Sequence, residues 1–390
     1  MPTRTRFLIA PQSFKGSLTA TEAARAMADG VRRLLPGASI TVLPLADGGE
    51  GTVEAIVTAT GGRPVRTRVT GPLGGAVTAT WGISGDGRTA IIEMAAASGI
   101  TLVPPARLDP RRATTYGTGE LIRAALDAGC RRFIIGLGGS ATNDGGAGMA
   151  QALGARLLDS EGQDLPFGGA ALARLKCIDT ARMDRRLPDC SFQAACDVSN
   201  PLCGPSGASH VYGPQKGATP DICRELDQAL ENYAAVLRRD LGVDVRHLPG
   251  AGAAGGLGAG LVAFLGAELR PGFDIVAEAV GLSRLLADAE IVLTGEGRLD
   301  RQTFFGKVVA GVAARARALG LPVLAIAGRV EVSGPELAAA GISAAASLCR
   351  ADLTEDQAMK QAARLLTATT AHTLASFFQA HSPSAEDGPH

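Results

Sequence analysis

Apolar and polar positions fall along this chain in blocks whose period switches between that of strands and that of helices. Phe7-Leu8-Ile9-Ala10 is a short apolar run of the kind a buried strand shows, and the polar loop PQSFKGS follows it. Thr19 with Glu22 three residues on predicts a capping box and a helix from there to about residue 35. Residues 39–45 predict a second strand, ended by the loop Asp47-Gly48-Gly49-Glu50-Gly51, and a helix over 52–60 comes next. This order implies parallel strands with crossover helices. Between about 63 and 94 the pattern changes: RPVRTRVT, AVTATWGIS and TAIIEM read as strands joined by glycine turns, which is hairpin behaviour. From Gly117 the alternation resumes with helix 118–129, strand 132–136 and helix 145–155. Segment 160–215 is irregular, rich in Pro and Gly, with one strand at 192–196; helices near 221–241 and 253–267 follow. Toward the end, 290–294 reads as strand, GEGRLD as loop, 304–319 as helix, 322–327 and 343–348 as strands, and 355–379 as one long helix.

The first and last parts share one style, and the middle holds the hairpins. The expected architecture is α/β: an open parallel-sheet domain built from both chain ends, 1–66 and 285–390, interrupted by a second α/β domain over 67–284. A length of 390 residues fits two domains, and an apolar fraction of 46% is ample for two cores. Lys plus Arg equals Asp plus Glu, 38 against 38, so no overall basic field exists to hold nucleic acid or an anionic membrane. Aromatics at 4% argue equally against base-stacking platforms. The seven cysteines are scattered and contain no CxxC pair, which fits reduced thiols in the cytoplasm. MPTRTRFLIAPQSF has too short an apolar run for a signal peptide, and no stretch reads as a membrane span. The tail HSPSAEDGPH reads as a frayed end.

Four loops that follow strands share one composition, glycine with acidic or small polar residues: 47–51, 138–146, 197–204 (DVSNPLCG) and 295–300. In open α/β sheets, ligands sit at the carboxyl ends of strands, where such loops gather. Glycine lets the backbone approach a ligand closely, and N–H groups at a helix start favour an anion such as phosphate. Carboxylates there would repel phosphate unless a cation sits between them, so the composition points to phosphate with magnesium. The loop GLGGSATNDGGAG (136–148) has six glycines in thirteen residues and one large apolar side chain, Leu137, and reads as shaped around an anion. GxxxxGK[ST] is absent, which excludes a P-loop. Residues 136–141 satisfy GxGxxA with Asp159 about twenty residues on, a weak dinucleotide fingerprint. Thr142-Asn143-Asp144 then puts a carboxylate where pyrophosphate would sit, and Gly250–Gly255 matches GxGxxG without a convincing strand before it. The five histidines form no HxxxH or HxH pair, and GxSxG is absent.

The segments APQSFKGSLTATEAA, PLADGGEGT, TTYGTGELIRAAL, GLGGSATNDGGAGMAQALGA, CDVSNPLCG, YGPQKGAT, PGAGAAGGLGAGL and LTGEGRLDRQTFFGK resemble the bacterial glycerate kinases, in register from about residue 6 to about 378. The resemblance implies a Rossmann-like domain, close to flavodoxin in style, made from both chain ends, with a second α/β domain inserted and an active site in the cleft between them. It also implies phosphorylation of glycerate to 2-phosphoglycerate with ATP as co-substrate. One departure is visible: the family usually has APDSFKGS, and Gln12 stands where that Asp would be.

Phosphoryl transfer needs positioning, charge neutralisation and a base for the attacking hydroxyl. On the resemblance, Gly138, Gly139, Ser140, Thr142, Asn143, Gly145 and Gly146 are expected to cradle the nucleotide phosphates. Asp47, Asp144, Asp197, Glu296 and Asp300 are the candidates for base and Mg2+ ligands; Asp197 is assigned as base, Asp47 and Glu296 first and Asp144 and Asp300 next as metal ligands. Lys15, with Ser17, Asn200 and Arg298, is expected to hold the glycerate carboxylate or the migrating phosphoryl group. The expected state is a monomer or homodimer. An NAD-dependent hydroxyacid dehydrogenase using 136–141 is the alternative, against which stands the lack of a histidine in any Gly/acid loop. A hinged sugar-acid binding protein would not need so many carboxylates.

Overall fold

The computed structural model describes residues 5–304, 307–349 and 353–381. The tail from Ser382 and the Phe305-Gly306 pair of the LTGEGRLDRQTFFGK segment lie outside the described residues. Its strands, in chain order, are β1 (Arg6–Ile9), β2 (Ser39–Val42), β3 (Arg63–Thr70), β4 (Ala76–Ile83), β5 (Thr89–Glu93), β6 (Arg132–Gly136), β7 (Arg156–Leu158), β8 (Cys177–Asp179), β9 (Ser191–Ala195), β10 (Glu268–Arg270), β11 (Ile291–Leu299), β12 (Val323–Val330) and β13 (Ala344–Ser347). The chain forms two compact units, Met1–Ala46 with Val276–His390, and Asp47–Ile275.

The unit made from both ends holds an all-parallel sheet in the order β13-β12-β11-β1-β2. Counted within the unit this is 5-4-3-1-2, the flavodoxin-like order, and the order reverses between β1 and β11. Phe7, Ile9, Met27, Val31, Leu293, Leu324, Ile326 and Leu366 fill one core. The helix Ala20–Leu34 starts at the expected capping box: Thr19 Oγ1 accepts from Glu22 N at 3.2 Å, and Glu22 Oε2 accepts from Thr19 N at 2.8 Å. Two expectations are corrected here. GEGRL is not loop but the end of β11, because Gly295, Glu296, Arg298 and Leu299 pair with Ile326, Ala327, Arg329 and Val330 of β12. The final helix is two, Glu355–Lys360 and Ala362–Ala380, separated at Gln361.

The second unit holds a six-stranded mixed sheet, β10-β9-β6-β5-β4-β3. The hairpins read from the sequence are the antiparallel pairs β3/β4 and β4/β5, and β5, β6, β9 and β10 pair in parallel. Trp81 of β4 is buried and satisfies its indole by donating Nε1–H to Thr67 Oγ1 of β3 at 2.9 Å. The irregular stretch expected over 160–215 contains more than one strand: β8 pairs with β7, and a short helix spans Ala208–Tyr212. The compact units divide after Ala46 and after Ile275, where the sequence reading put boundaries at 66/67 and 284/285. The physical reason for the first is that helix Thr52–Thr60 packs on β3, β4 and β5. Among the described residues no helix is long and apolar enough to cross a membrane.

Candidate active site

In the Asp47–Ile275 unit a cavity of about 260 Å³ opens beside the carboxyl ends of β6 and β9. Its walls are Asp47–Gly49, Leu137–Ser140, Ala195–Val198, Tyr212 with Gln215 and Lys216, and Ala253 with Ala254. The Asp47 loop is anchored by Glu93 at the end of β5, whose carboxylate accepts from Val53 N at 2.9 Å and so caps the helix that starts at Thr52. Burial pushes the Glu93 carboxyl above its usual range, against the opposing pull of that amide. Gly48 has φ +92° and sits so close to the end of β9 that an added Cβ would lie 2.4 Å from Ala195 Cβ. Gly48→Ala is therefore expected to destabilise the protein by at least about 2 kcal/mol, through both the left-handed backbone and the clash. Thermal unfolding checks this, and a melting midpoint equal to wild type would refute it.

The loop after β6 divides into two halves. Gly138 and Gly139 are exposed, and with Ser140 they line the cavity. From Ala141 on the loop is buried, contrary to the expectation that it wraps an anion along its whole length. Asp144 is fully buried, and its carboxylate accepts from Thr115 N (2.8 Å), Thr115 Oγ1 (2.9 Å), Gly146 N (3.2 Å) and Gly148 N (3.3 Å). Of the amides expected to receive phosphate, that of Gly146 thus serves a carboxylate of the protein itself, and Gly145 N donates to Gly255 O at 3.0 Å. Asn143 Nδ2 donates to Ser209 Oγ at 2.9 Å, and Thr142 Oγ1 donates to Ala254 O at 3.5 Å. Thr142, Asn143, Asp144, Gly145 and Gly146 do not line the cavity. The geometry gives them the work of holding its wall, and the Asp144 carboxylate is taken up by donors of the protein itself.

Lys216, which the sequence reading passed over, lines the cavity while only 1% exposed. Its Nζ donates to Thr142 O at 2.7 Å. Burial pulls its pKa down to about 7, and the Asp144 charge works in the opposite direction. The hint in the sequence was a single lysine between Gln215 and Gly217 in YGPQKGAT, a segment otherwise short of charge. Across the cavity wall, Ala254, Gly255 and Gly256 take left-handed φ values of +54°, +68° and +88°. Ala254 is the only non-glycine with positive φ among the described residues, and such strain concentrates at functional sites.

Asp197 and Asp47 both line this cavity, and Asp197 Oδ1 accepts from Gly272 N at 2.8 Å. Asn200 does not line it. Its Nδ2 donates to Ser206 O at 2.8 Å and its Oδ1 accepts from Tyr212 O–H at 2.6 Å, so it steadies Tyr212, which does.

The remaining predicted residues belong to the first unit, beside the strand-order reversal. An added Cβ on Gly297 would lie 3.3 Å from Lys15 N, which places the Lys15 loop against the carboxyl end of β11. Lys15 is exposed, and Ser17 Oγ donates to Phe14 O at 3.0 Å. Glu296 is buried, and Arg298, two residues on and on the same face of β11, lies 3.4 Å from Glu331. Asp300 Oδ1 accepts from Thr303 N at 3.2 Å and its amide donates to Thr303 Oγ1 at 3.2 Å, the arrangement of a cap on the turn that follows. Gln12, at the family's Asp position, gives its amide N–H to Gly295 O at 2.8 Å, a bond that any residue other than proline can make.

Residues 7–378 match the model of the "Glycerate kinase family". The "Glycerate 2-kinase" of Escherichia coli K12 is 52% identical over 357 residues, 92% of this chain and 94% of that one. The "Glycerate kinase" of Bacillus subtilis 168 is 50% identical over 371 residues, covering 95% and 97%. A crystal structure described as a candidate glycerate kinase 2 from Salmonella typhimurium LT2 superposes with a TM-score of 0.88 at 52% identity, over 97% of this chain and 100% of that one. With a parallel-sheet α/β fold, Gly-rich and acidic loops at the strand ends, and agreement of this depth over nearly its whole length, the chain belongs to the glycerate kinase family and is an enzyme of the phosphotransferase class.

Proposed function

We propose that this enzyme transfers the terminal phosphoryl group of ATP to the 2-hydroxyl of D-glycerate, giving 2-phosphoglycerate and ADP. The observation that carries the reading is the cavity in which Gly138, Gly139, Ser140, Asp47, Asp197 and Lys216 meet. Glycines for close approach, carboxylates for a base and a divalent cation, and a lysine for anionic charge are the parts phosphoryl transfer needs. The name of the Escherichia coli relative, a glycerate 2-kinase, supports the 2-hydroxyl as acceptor. Hydride transfer to NAD is not favoured by relatives of these names.

Asp197 takes the proton of the attacking hydroxyl as the new P–O bond forms and the bond to the ADP oxygen breaks. A carboxylate is ionised at neutral pH without tuning, as this role requires. Lys15, with Ser17 and Arg298, holds the glycerate carboxylate. Among the described residues no group of three or more acidic, His or Cys side chains is placed to cage a metal. Two carboxylates on one cavity still suit magnesium, which binds through one or two carboxylates, waters and substrate phosphates. Asp47 would hold it there, Glu296 is a metal candidate within the first unit, and the ion would supply neutralisation of phosphate charge. Asp144 and Asp300 are left structural work.

ADP release from ATP in the presence of D-glycerate tests this. Activity is expected to vanish with excess EDTA and to return with added magnesium. Full activity in EDTA would remove the metal from the account, and no ADP release under any condition would remove ATP.

A further inference from the structure

We infer that Lys216 is the residue that binds the phosphate chain of the nucleotide, through its ammonium in the cavity of the Asp47–Ile275 unit; this rests on the phosphotransfer reading above. A lysine only 1% exposed is expensive to keep unless its charge is used. Its ammonium carries three N–H donors, and the partner the structure gives it is one backbone oxygen, Thr142 O at 2.7 Å. The Asp144 carboxylate that favours its charged form already accepts from four donors of its own, three on Oδ2 and one on Oδ1. Lys216 nevertheless lines the cavity, beside the exposed glycines 138 and 139 and the strained Ala254. Burial lowers its affinity for a proton in the empty protein, and an anion in the cavity would restore it.

The other charges on the cavity select the anion. Asp47 and Asp197 line it too, and would repel a single carboxylate such as that of glycerate. A phosphate chain brings enough charge to hold a divalent cation between itself and those carboxylates. It also presents oxygens to a point charge and to glycine backbone at once. Lys216 therefore reads phosphate and not the glycerate carboxylate.

Calorimetric titration of the full chain with sodium tripolyphosphate in magnesium buffer, and separately with D-glycerate, tests this on wild type, Lys216→Met and Lys216→Gln. Both variants remove a buried charge, and a melting scan of the unliganded proteins shows which of them folds. Tripolyphosphate affinity is expected to fall by at least about tenfold in either folded variant, with D-glycerate affinity within about threefold of wild type. Equal tripolyphosphate affinity in wild type and variant would overturn the inference. So would a loss confined to D-glycerate, which would assign Lys216 to the substrate carboxylate. A purely structural role would weaken both ligands together, and that result overturns it as well. Wild type that makes no ADP from ATP and glycerate would instead refute the phosphotransfer reading, an outcome separate from all of these.

Discussion

Asp197→Asn protein is expected to lose at least about a hundredfold in kcat while keeping its fold. General-base catalysis by a positioned side chain contributes about 10²–10⁴-fold, and the asparagine amide cannot take the proton. The substitution is gentle structurally: Asn retains an oxygen that can accept from Gly272 N, the 2.8 Å bond seen for Asp197 Oδ1. Asp197 is also exposed, so losing its charge removes no buried pair. The expected signature is a fall in kcat with little change in the KM for either substrate, since the proton moves only in the transition state. Steady-state kinetics decide it. A variant within threefold of wild type would move the base elsewhere, and Asp47 on the same cavity would be the next residue to test.

Asp144→Ala carries the largest expected effect on stability. It strips four donors of their acceptor and leaves Lys216 without its compensating charge. Among the described residues Lys216 is the only other charged side chain buried to within 1% exposure. A buried donor left without its acceptor costs about 1–3 kcal/mol, so losing the acceptor of four, some of which re-pair, is expected to cost about 3–5 kcal/mol in all. For a unit of this size that is a fall of roughly 6–20 °C in melting midpoint. Adding Lys216→Met to Asp144→Ala is expected to recover part of the loss, because the orphaned ammonium disappears with it. A single variant melting within about 2 °C of wild type would show that the carboxylate is not the keystone of this wall. No recovery in the double variant would assign the loss to the hydrogen bonds alone.

What the sequence disclosed was what local rules govern. The Thr19–Glu22 capping box and the strand at 132–136 stand where the residues placed them, because a cap and a continuous apolar run depend on near neighbours. The hairpin region was legible for the same reason. What depended on distant partners was not. β11 continues through Leu299 only because β12 offers a ladder to GEGRL, a composition that reads as loop in isolation. Asp144 looked like a ligand to a metal because nothing nearby revealed that Thr115, 29 residues upstream, would bind it. Lys216 lies 74 residues from the carbonyl that accepts its hydrogen bond, a separation no local pattern spans. Of the glycine-rich loop, the exposed Gly138-Gly139 pair does face a cavity, and the residues after it are wall. Glycine-rich composition marked the right loop without telling which half would meet a ligand.

Phosphorus NMR of the product formed from D-glycerate, ATP and magnesium tests the central claim most directly. The account predicts the signal of 2-phosphoglycerate growing in step with ADP. A 3-phosphoglycerate signal would contradict the assigned hydroxyl, and ATP left unconsumed beside glycerate would contradict the proposed reaction itself.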